Sequence, residues 1–328
     1  MNLEQLSNEL RRIESEVSRV LVGQESLVEH VLVGLVARGH VLIEGVPGLG
    51  KTLLVRALAR VLGLSFRRIQ FTPDLMPSDI TGSTLYSQKL GEFSFVPGPV
   101  FTELLLADEV NRAPAKTQSA LLEAMQERSV TTDGITRPLA DPFLVLATQN
   151  PIESQGTYPL PEAQLDRFLM KVLVDYPDRD SEIGVLELVR SEEVATASSG
   201  TTTDDAGLIE PERVFEARKE IHGIHVAPAV EQYIMALIDA TRHPDRYDKT
   251  LGTWIQIGAS PRGGIALERT SRVNAWLEGR PHVTPDDVRA MAHGVLRHRI
   301  ILTYDASAEG IHADQVIDKI LELVAVPA

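Results

Sequence analysis

The sequence predicts an α/β nucleotide-binding half followed by a smaller, helical half. Three observations carry this. Gly45-Val46-Pro47-Gly48-Leu49-Gly50-Lys51-Thr52 lies between a short apolar strand and a helix, the order of a phosphate-binding loop. Thr102-Glu103-Leu104-Leu105-Leu106-Ala107-Asp108-Glu109 is a continuous apolar run ending in two acids, as suits a parallel strand buried on both faces. Beyond about residue 205 the β signal disappears and the segments read as helical.

The glycine loop has a specific chemistry. Glycines let backbone N–H groups turn inward as an anion nest, and the helix N-terminus behind them adds a partial positive charge. Lys51 is placed to reach the β- and γ-phosphates of a nucleotide, and Thr52 to offer its hydroxyl to Mg²⁺. Leu53 follows at the head of the helix.

Composition sets the bounds. At 328 residues, 43% of them hydrophobic and 24% charged, the chain suits one large domain or two ordinary ones. No apolar run is long enough for a membrane span, and the start, Met1-Asn2-Leu3-Glu4-Gln5, lacks the basic and apolar regions of a secretory signal. The absence of cysteine excludes disulfides, thiolate zinc sites and cysteine nucleophiles, and fits the cytoplasm. A net charge of −14 argues against a nucleic-acid partner, which needs clustered Lys and Arg.

In chain order, Leu3, Leu6, Leu10, Ile13, Val17 and Val20 recur at three- and four-residue steps, an amphipathic helix packed on the core. Val22-Gly23-Gln24 breaks that pattern just before the strand His40–Glu44 and is placed to touch the adenine; a second helix runs from there to about Arg38. The helix Leu53–Leu62 and the strand Phe66–Phe71 follow. Thr84–Tyr86 and Glu92–Phe95 read as a hairpin, either a plain surface feature or an insertion facing a partner. Asp108 at its strand end is suited to hold Mg²⁺, and Glu109 to activate the attacking water. A helix from Ala115 to Arg128 leads to a second hairpin, marked by Asp133-Gly134 between β-prone flanks. The strand Phe143–Thr148 ends in Gln149-Asn150. Asn150 there either orients the lytic water, senses the γ-phosphate, or caps the next turn. Arg167 precedes the last strand, Leu169–Val174. By residue type it is either a surface ion-pair partner or an arginine finger.

Ser191–Asp205 reads as a flexible loop, with helices expected around 211–221, 228–241, 263–278, 285–298 and 314–325. Thr284-Pro285-Asp286-Asp287 is a helix start. Arg262, at or just before another helix start, would be an unfavourable unpaired cation there, which suits a phosphate role. His222, His225, His293 and His298 make no metal-ligand pattern.

Taken together, GVPGLGKT (Gly45–Thr52), LLLADEVNRAP (Leu104–Pro114), LVLATQNP (Leu144–Pro151), EAQLDRF (Glu162–Phe168) and ASPRG (Ala259–Gly263) resemble the MoxR family of AAA+ ATPases along nearly the whole chain. The resemblance implies a P-loop core with a parallel five-stranded sheet in the order 5-1-4-3-2, flanked by helices and carrying hairpin inserts, over residues 1–177, then an all-α lid over 178–328. It implies Walker A for Gly45, Pro47, Gly48, Leu49, Gly50, Lys51, Thr52 and the adjoining Leu53, and Walker B for Asp108 and Glu109. It further implies sensor 1 for Asn150, an arginine finger acting on the neighbouring subunit for Arg167, sensor 2 for Arg262, and an adenine-side segment at Val22-Gly23. The two hairpins correspond to the helix-2 insert and the pre-sensor-1 hairpin. The cofactors implied are ATP and Mg²⁺, with Thr52 and Asp108 on the metal side. The family further implies a homo-oligomeric ring, usually a hexamer, that acts on client proteins, often beside a partner with a von Willebrand factor A domain.

Three other functions are compatible with the same motifs. A motor subunit of a metal chelatase would have a dedicated chelatase partner. A nucleic-acid translocase is disfavoured by the acidic balance. A nucleotide-sensing scaffold is disfavoured by the presence of both Glu109 and Arg167.

Overall fold

The computed structural model describes residues 12–13, 16–17, 23–46, 51–88, 91–150, 157–176 and 212–326. Val22, Pro47 to Gly50, the loop 191–205 and most of the first amphipathic helix lie outside the described residues; of that helix, Ile13 and Val17 are described and buried.

The chain forms two compact units. One joins Glu9–Leu160 to Val172–Val214; the other joins Pro161–Lys171 to Phe215–Ala328. A linear boundary at 177/178 therefore omits an exchange: the stretch bearing Arg167 packs with the C-terminal helices.

The first unit opens with α1 (Glu25–Val36), β1 (Val41–Gly45), α2 (Lys51–Leu62), β2 (Phe66–Gln70) and α3 (Pro77–Thr81). Next come β3 (Gly82–Ser87) and β4 (Glu92–Pro97), an antiparallel hairpin, then β5 (Leu104–Asp108) and α4 (Ala115–Glu127). A second hairpin, β6 (Ser129–Thr132) and β7 (Ile135–Pro138), precedes β8 (Leu144–Gln149). The turn between β6 and β7 has Asp133 and Gly134 both at positive φ, 53° and 74°, the two-residue geometry that the Asp-Gly pair favours. After α5 (Glu162–Leu165), which groups with the C-terminal unit, β9 (Met170–Val174) completes a five-stranded sheet, β2-β5-β8-β1-β9. Counting these strands alone, that is the expected order 5-1-4-3-2 seen from the other edge.

Strand chemistry follows position. β5 and β8 are central, and every residue but the last is buried in each, which is why they read as unbroken apolar runs. β2 is the edge strand and carries Arg67 and Arg68 exposed. Parallel pairing puts the strands' polar C-terminal residues side by side: Gln70 opposite Asp108, and Glu44 opposite Gln149.

The C-terminal unit holds α6 (Glu212–His222), α7 (Pro228–Arg242), α8 (Lys249–Trp254), β10 (Ile255–Ile257), α9 (Pro261–Leu277), α10 (Pro285–Leu296), β11 (Ile301–Leu302), α11 (Tyr304–Ala308) and α12 (Ala313–Leu323). Its core is built on Trp276, Leu237, Leu267, Val288, Ile317 and Ile320, all buried. Thr284 starts α10 as expected, and Asp287 closes the capping box by accepting from the Thr284 backbone N–H at 2.7 Å. The β10–β11 ribbon departs from the purely helical expectation. Strands of two and three residues are too short to show alternation. No described helix is long and apolar enough to cross a membrane.

Candidate active site

The C-terminal edge of the sheet gathers the first group of expected residues. Gly45 ends β1, and a Cβ there would lie 2.4 Å from the Val174 carbonyl oxygen of β9. The glycine is demanded by close strand approach, a reason the loop pattern alone does not supply. Lys51 opens α2 and donates from Nζ to the Gly45 carbonyl at 2.6 Å. Burial lowers its pKa, while Asp108, Glu109 and Glu44 pull the other way. No acid occupies the first turn of α2, so no carboxylate there offsets its positive end, which suits binding of an anion. Thr52 lies in that first turn and Leu53 beside it is exposed. At the β9 edge of the sheet, Gly23 takes φ 77°, and Gln24 Nε2 donates to the Asp175 carbonyl at 3.1 Å, tying the segment expected on the adenine side to the end of β9.

Asp108 and Glu109 stand where the register brings β2, β5 and β8 together. Asp108 Oδ1 accepts from Thr148 Oγ1 at 2.6 Å; its Oδ2 accepts from Arg68 Nη2 at 2.7 Å and Nε at 3.2 Å. Glu109 sits in the left-handed region at φ 56°, an unfavourable backbone for a glutamate. Thr148 supports it by accepting the Glu109 backbone N–H at 2.8 Å. The Glu109 carboxylate accepts from Gln70 Nε2 at 2.6 Å and pairs with Arg112 Nε at 3.1 Å. Asn150 follows β8 directly and is buried. Arg68, Gln70, Arg112 and Thr148 were not singled out from the sequence. Gln70 and Thr148 lie at or next to strand ends and Arg68 two residues before Gln70 on the same face of β2, so their approach to the acids depends on register, whereas Arg112 lies three residues after Glu109.

The second group belongs to the C-terminal unit. Arg262 is the second residue of α9, whose N-cap Ser260 accepts the Arg262 backbone N–H at 3.1 Å. The expectation of an unpaired cation is corrected here. Asp166 Oδ2 lies 3.9 Å from Arg262 Nη1, a loose contact that offsets part of the dipole penalty. Asp166 also accepts from Ser260 Oγ at 2.8 Å and Arg299 Nε at 2.9 Å. Arg299 is almost wholly buried and donates to the carbonyls of Phe168, Leu169 and Val295. Burial lowers its pKa to about 10, and Asp166 holds it charged. Arg167, next to this anchor, is partly exposed, and its guanidinium makes no ion pair with a described residue.

The donor chemistry suits Mg²⁺: a threonine hydroxyl and an aspartate carboxylate are hard oxygen ligands of the kind that keep part of the metal's water shell. Among the described residues no cluster of three or more His, Asp or Glu could hold a metal by itself.

Residues 40–170 match the family described as "ATPase family associated with various cellular activities (AAA)", and residues 252–320 match the "AAA lid domain". The chain is 46% identical to Chaperone MoxR1 of Mycobacterium tuberculosis over 97% of this chain and 82% of that one. It is 36% identical to Protein MoxR of Methylorubrum extorquens over 96% and 94% of the two chains. The crystal structure of a Cytophaga hutchinsonii protein provisionally assigned as an ATPase superposes with a TM-score of 0.90. It is 44% identical, with 99% of this chain and 97% of that chain covered.

Proposed function

Because the chain belongs to the MoxR family of AAA ATPases, we propose that it hydrolyses ATP to remodel or mature partner proteins as a homo-oligomeric ring, with a hexamer as the expected size. The observation that supports it most is the meeting of Lys51, Asp108, Glu109 and Asn150 at one sheet edge.

Lys51 and the N-terminus of α2 bind the phosphates. Thr52 and Asp108 would hold Mg²⁺, which would supply positive charge to offset that developing on the phosphates. Glu109 accepts a proton from the attacking water, and Asn150 orients that water or the γ-phosphate. Arg167, which makes no ion pair with a described residue, stabilises charge on a neighbouring subunit's γ-phosphate, and Arg262 takes the sensor-2 role that the family implies. A relative named as a chaperone supports a protein client; a partner with a von Willebrand factor A domain is the one that the family resemblance implies. Dependence on ATP supports a cytoplasmic location.

The test is ATP turnover by Glu109→Gln. The substitution keeps size and hydrogen bonding but removes the base, so ATP should still bind while phosphate release collapses. A Glu109→Gln protein as active as the parent would refute the assignment.

A further inference from the structure

We infer that Arg68 is a tethered cation that competes with Mg²⁺ for Asp108 and so sets how much Mg²⁺ the site requires. The inference rests on the reading of Asp108 as the metal-side acid.

The geometry is specific. Arg68 and Gln70 are two residues apart on the edge strand β2, so their side chains leave the same face, and Gln70 is the register partner of Asp108. Arg68 places two nitrogens on a single oxygen of Asp108, Oδ2, at 2.7 and 3.2 Å. The other oxygen, Oδ1, is taken by Thr148. The oxygen that a metal or its bound water would approach is thus the one the guanidinium covers. Lys51 lies close enough to feel the charge of Asp108, but its hydrogen bond is to the Gly45 carbonyl, and the cation seated on Oδ2 is Arg68.

Arg68 also donates from Nη2 to Gln70 Oε1 at 2.5 Å, and Gln70 donates onward to Glu109. The two acids are therefore linked: Arg68–Asp108 and Gln70–Glu109 share one chain of hydrogen bonds, closed on the other side by Thr148, which serves both Asp108 and the Glu109 backbone. When Arg68 yields Asp108, Gln70 loses the partner that orients its amide towards Glu109.

Competition follows from charge and exposure. A guanidinium and a divalent cation cannot share one carboxylate oxygen without strong repulsion. Asp108 is mostly enclosed, at 16% side-chain exposure, whereas Arg68 is 45% exposed on a sheet edge. Arg68 can swing into solvent and Asp108 cannot follow. A half-exposed ion pair of this kind is weak enough to be displaced and strong enough to shift a binding midpoint.

Binding of a fluorescent ATP analogue to the full chain, titrated with Mg²⁺ from an EDTA baseline, tests this. Arg68→Gln should bind the analogue in EDTA as the parent does. The Mg²⁺ concentration at half-maximal enhancement should fall by about 1.5- to 5-fold, the range expected for loss of an exposed ion pair. Arg68→Lys, which keeps the charge without the two-nitrogen grip, should fall between. Unfolding midpoints of the three proteins in EDTA check that all are folded. An unchanged midpoint with intact binding overturns the inference alone. Loss of binding in EDTA by Arg68→Gln also overturns it, because Arg68 would then be a phosphate ligand. If the parent binds no analogue at any Mg²⁺ concentration, the nucleotide-site reading fails and the inference with it.

Discussion

Lys51 and Glu109 occupy one sheet edge but fail in different ways when changed. Lys51→Ala removes the charge that draws the phosphates, so binding of ATP should be lost. Glu109→Gln should leave binding intact and lower turnover by about 10²- to 10⁴-fold, the usual worth of a positioned base. Equilibrium binding and phosphate release separate the two. Asp287 is a structural counterpart, buried against Arg280, Asn274 and Thr284. Burial pushes its pKa up, but the bonds from those three residues outweigh burial and hold it below the ordinary carboxylate value. A carboxylate with a lowered folded pKa adds stability that is complete above the unfolded value and is lost as pH falls through the folded one. Asp287→Asn should therefore cost about 2–4 kcal/mol at neutral pH, with the difference narrowing in strong acid. Denaturant unfolding at pH 7 and pH 3 measures both.

At the scale of elements, His40 joins a strand to a helix. Its Nδ1 accepts the Val145 backbone N–H of β8 at 3.0 Å, and its Nε2 meets the Met125 carbonyl of α4 at 3.1 Å, so the ring is the neutral Nε2–H form. Burial lowers its pKa from 6.5 to about 4. Folding thus selects the neutral ring: its contribution is whole above about pH 6.5 and is lost as pH falls towards 4. The loss should reach about 2 kcal/mol by pH 5, and His40→Gln should flatten that slope. The β1–β9 contact makes a second prediction. Gly45→Ala forces a methyl against the Val174 carbonyl, a backbone atom that cannot step aside. It should cost about 1–3 kcal/mol and weaken ATP binding through displacement of β1. Thermal unfolding with and without ATP would show both effects; an unaltered protein would contradict the strand-approach argument.

At the scale of the whole molecule, the prediction concerns assembly. Arg167 is held in place through its neighbours: Arg299 fixes Asp166, Phe168 and Leu169, and Arg297 donates to the Lys171 carbonyl at 3.0 Å. The finger candidate is therefore presented by the same compact unit that carries Arg262. If Arg167 acts across a subunit boundary, Lys51→Ala and Arg167→Ala proteins, each inactive alone, should regain ATPase activity when mixed. A mixed interface would then join an intact loop to an intact finger. Failure to recover activity at any ratio would oppose action across the boundary.

The sequence by itself determined the strand–loop–helix order, the buried runs of β5 and β8, the Asp-Gly hairpin turn and the start of α10 at Thr284. Each is a local matter: apolar period, glycine freedom and capping act over a few residues. Lys51, Asp108, Glu109 and Asn150 are legible as candidates because their chemistry sits inside such local patterns. Tertiary structure alone decided the company they keep. Arg68 and Gln70 meet the two acids through strand register, and Asp166 meets Ser260 and Arg299 across about a hundred residues or more of chain. No short-range pattern encodes a partner that distant, because the contact exists only after sheet pairing and helix packing have brought the segments together.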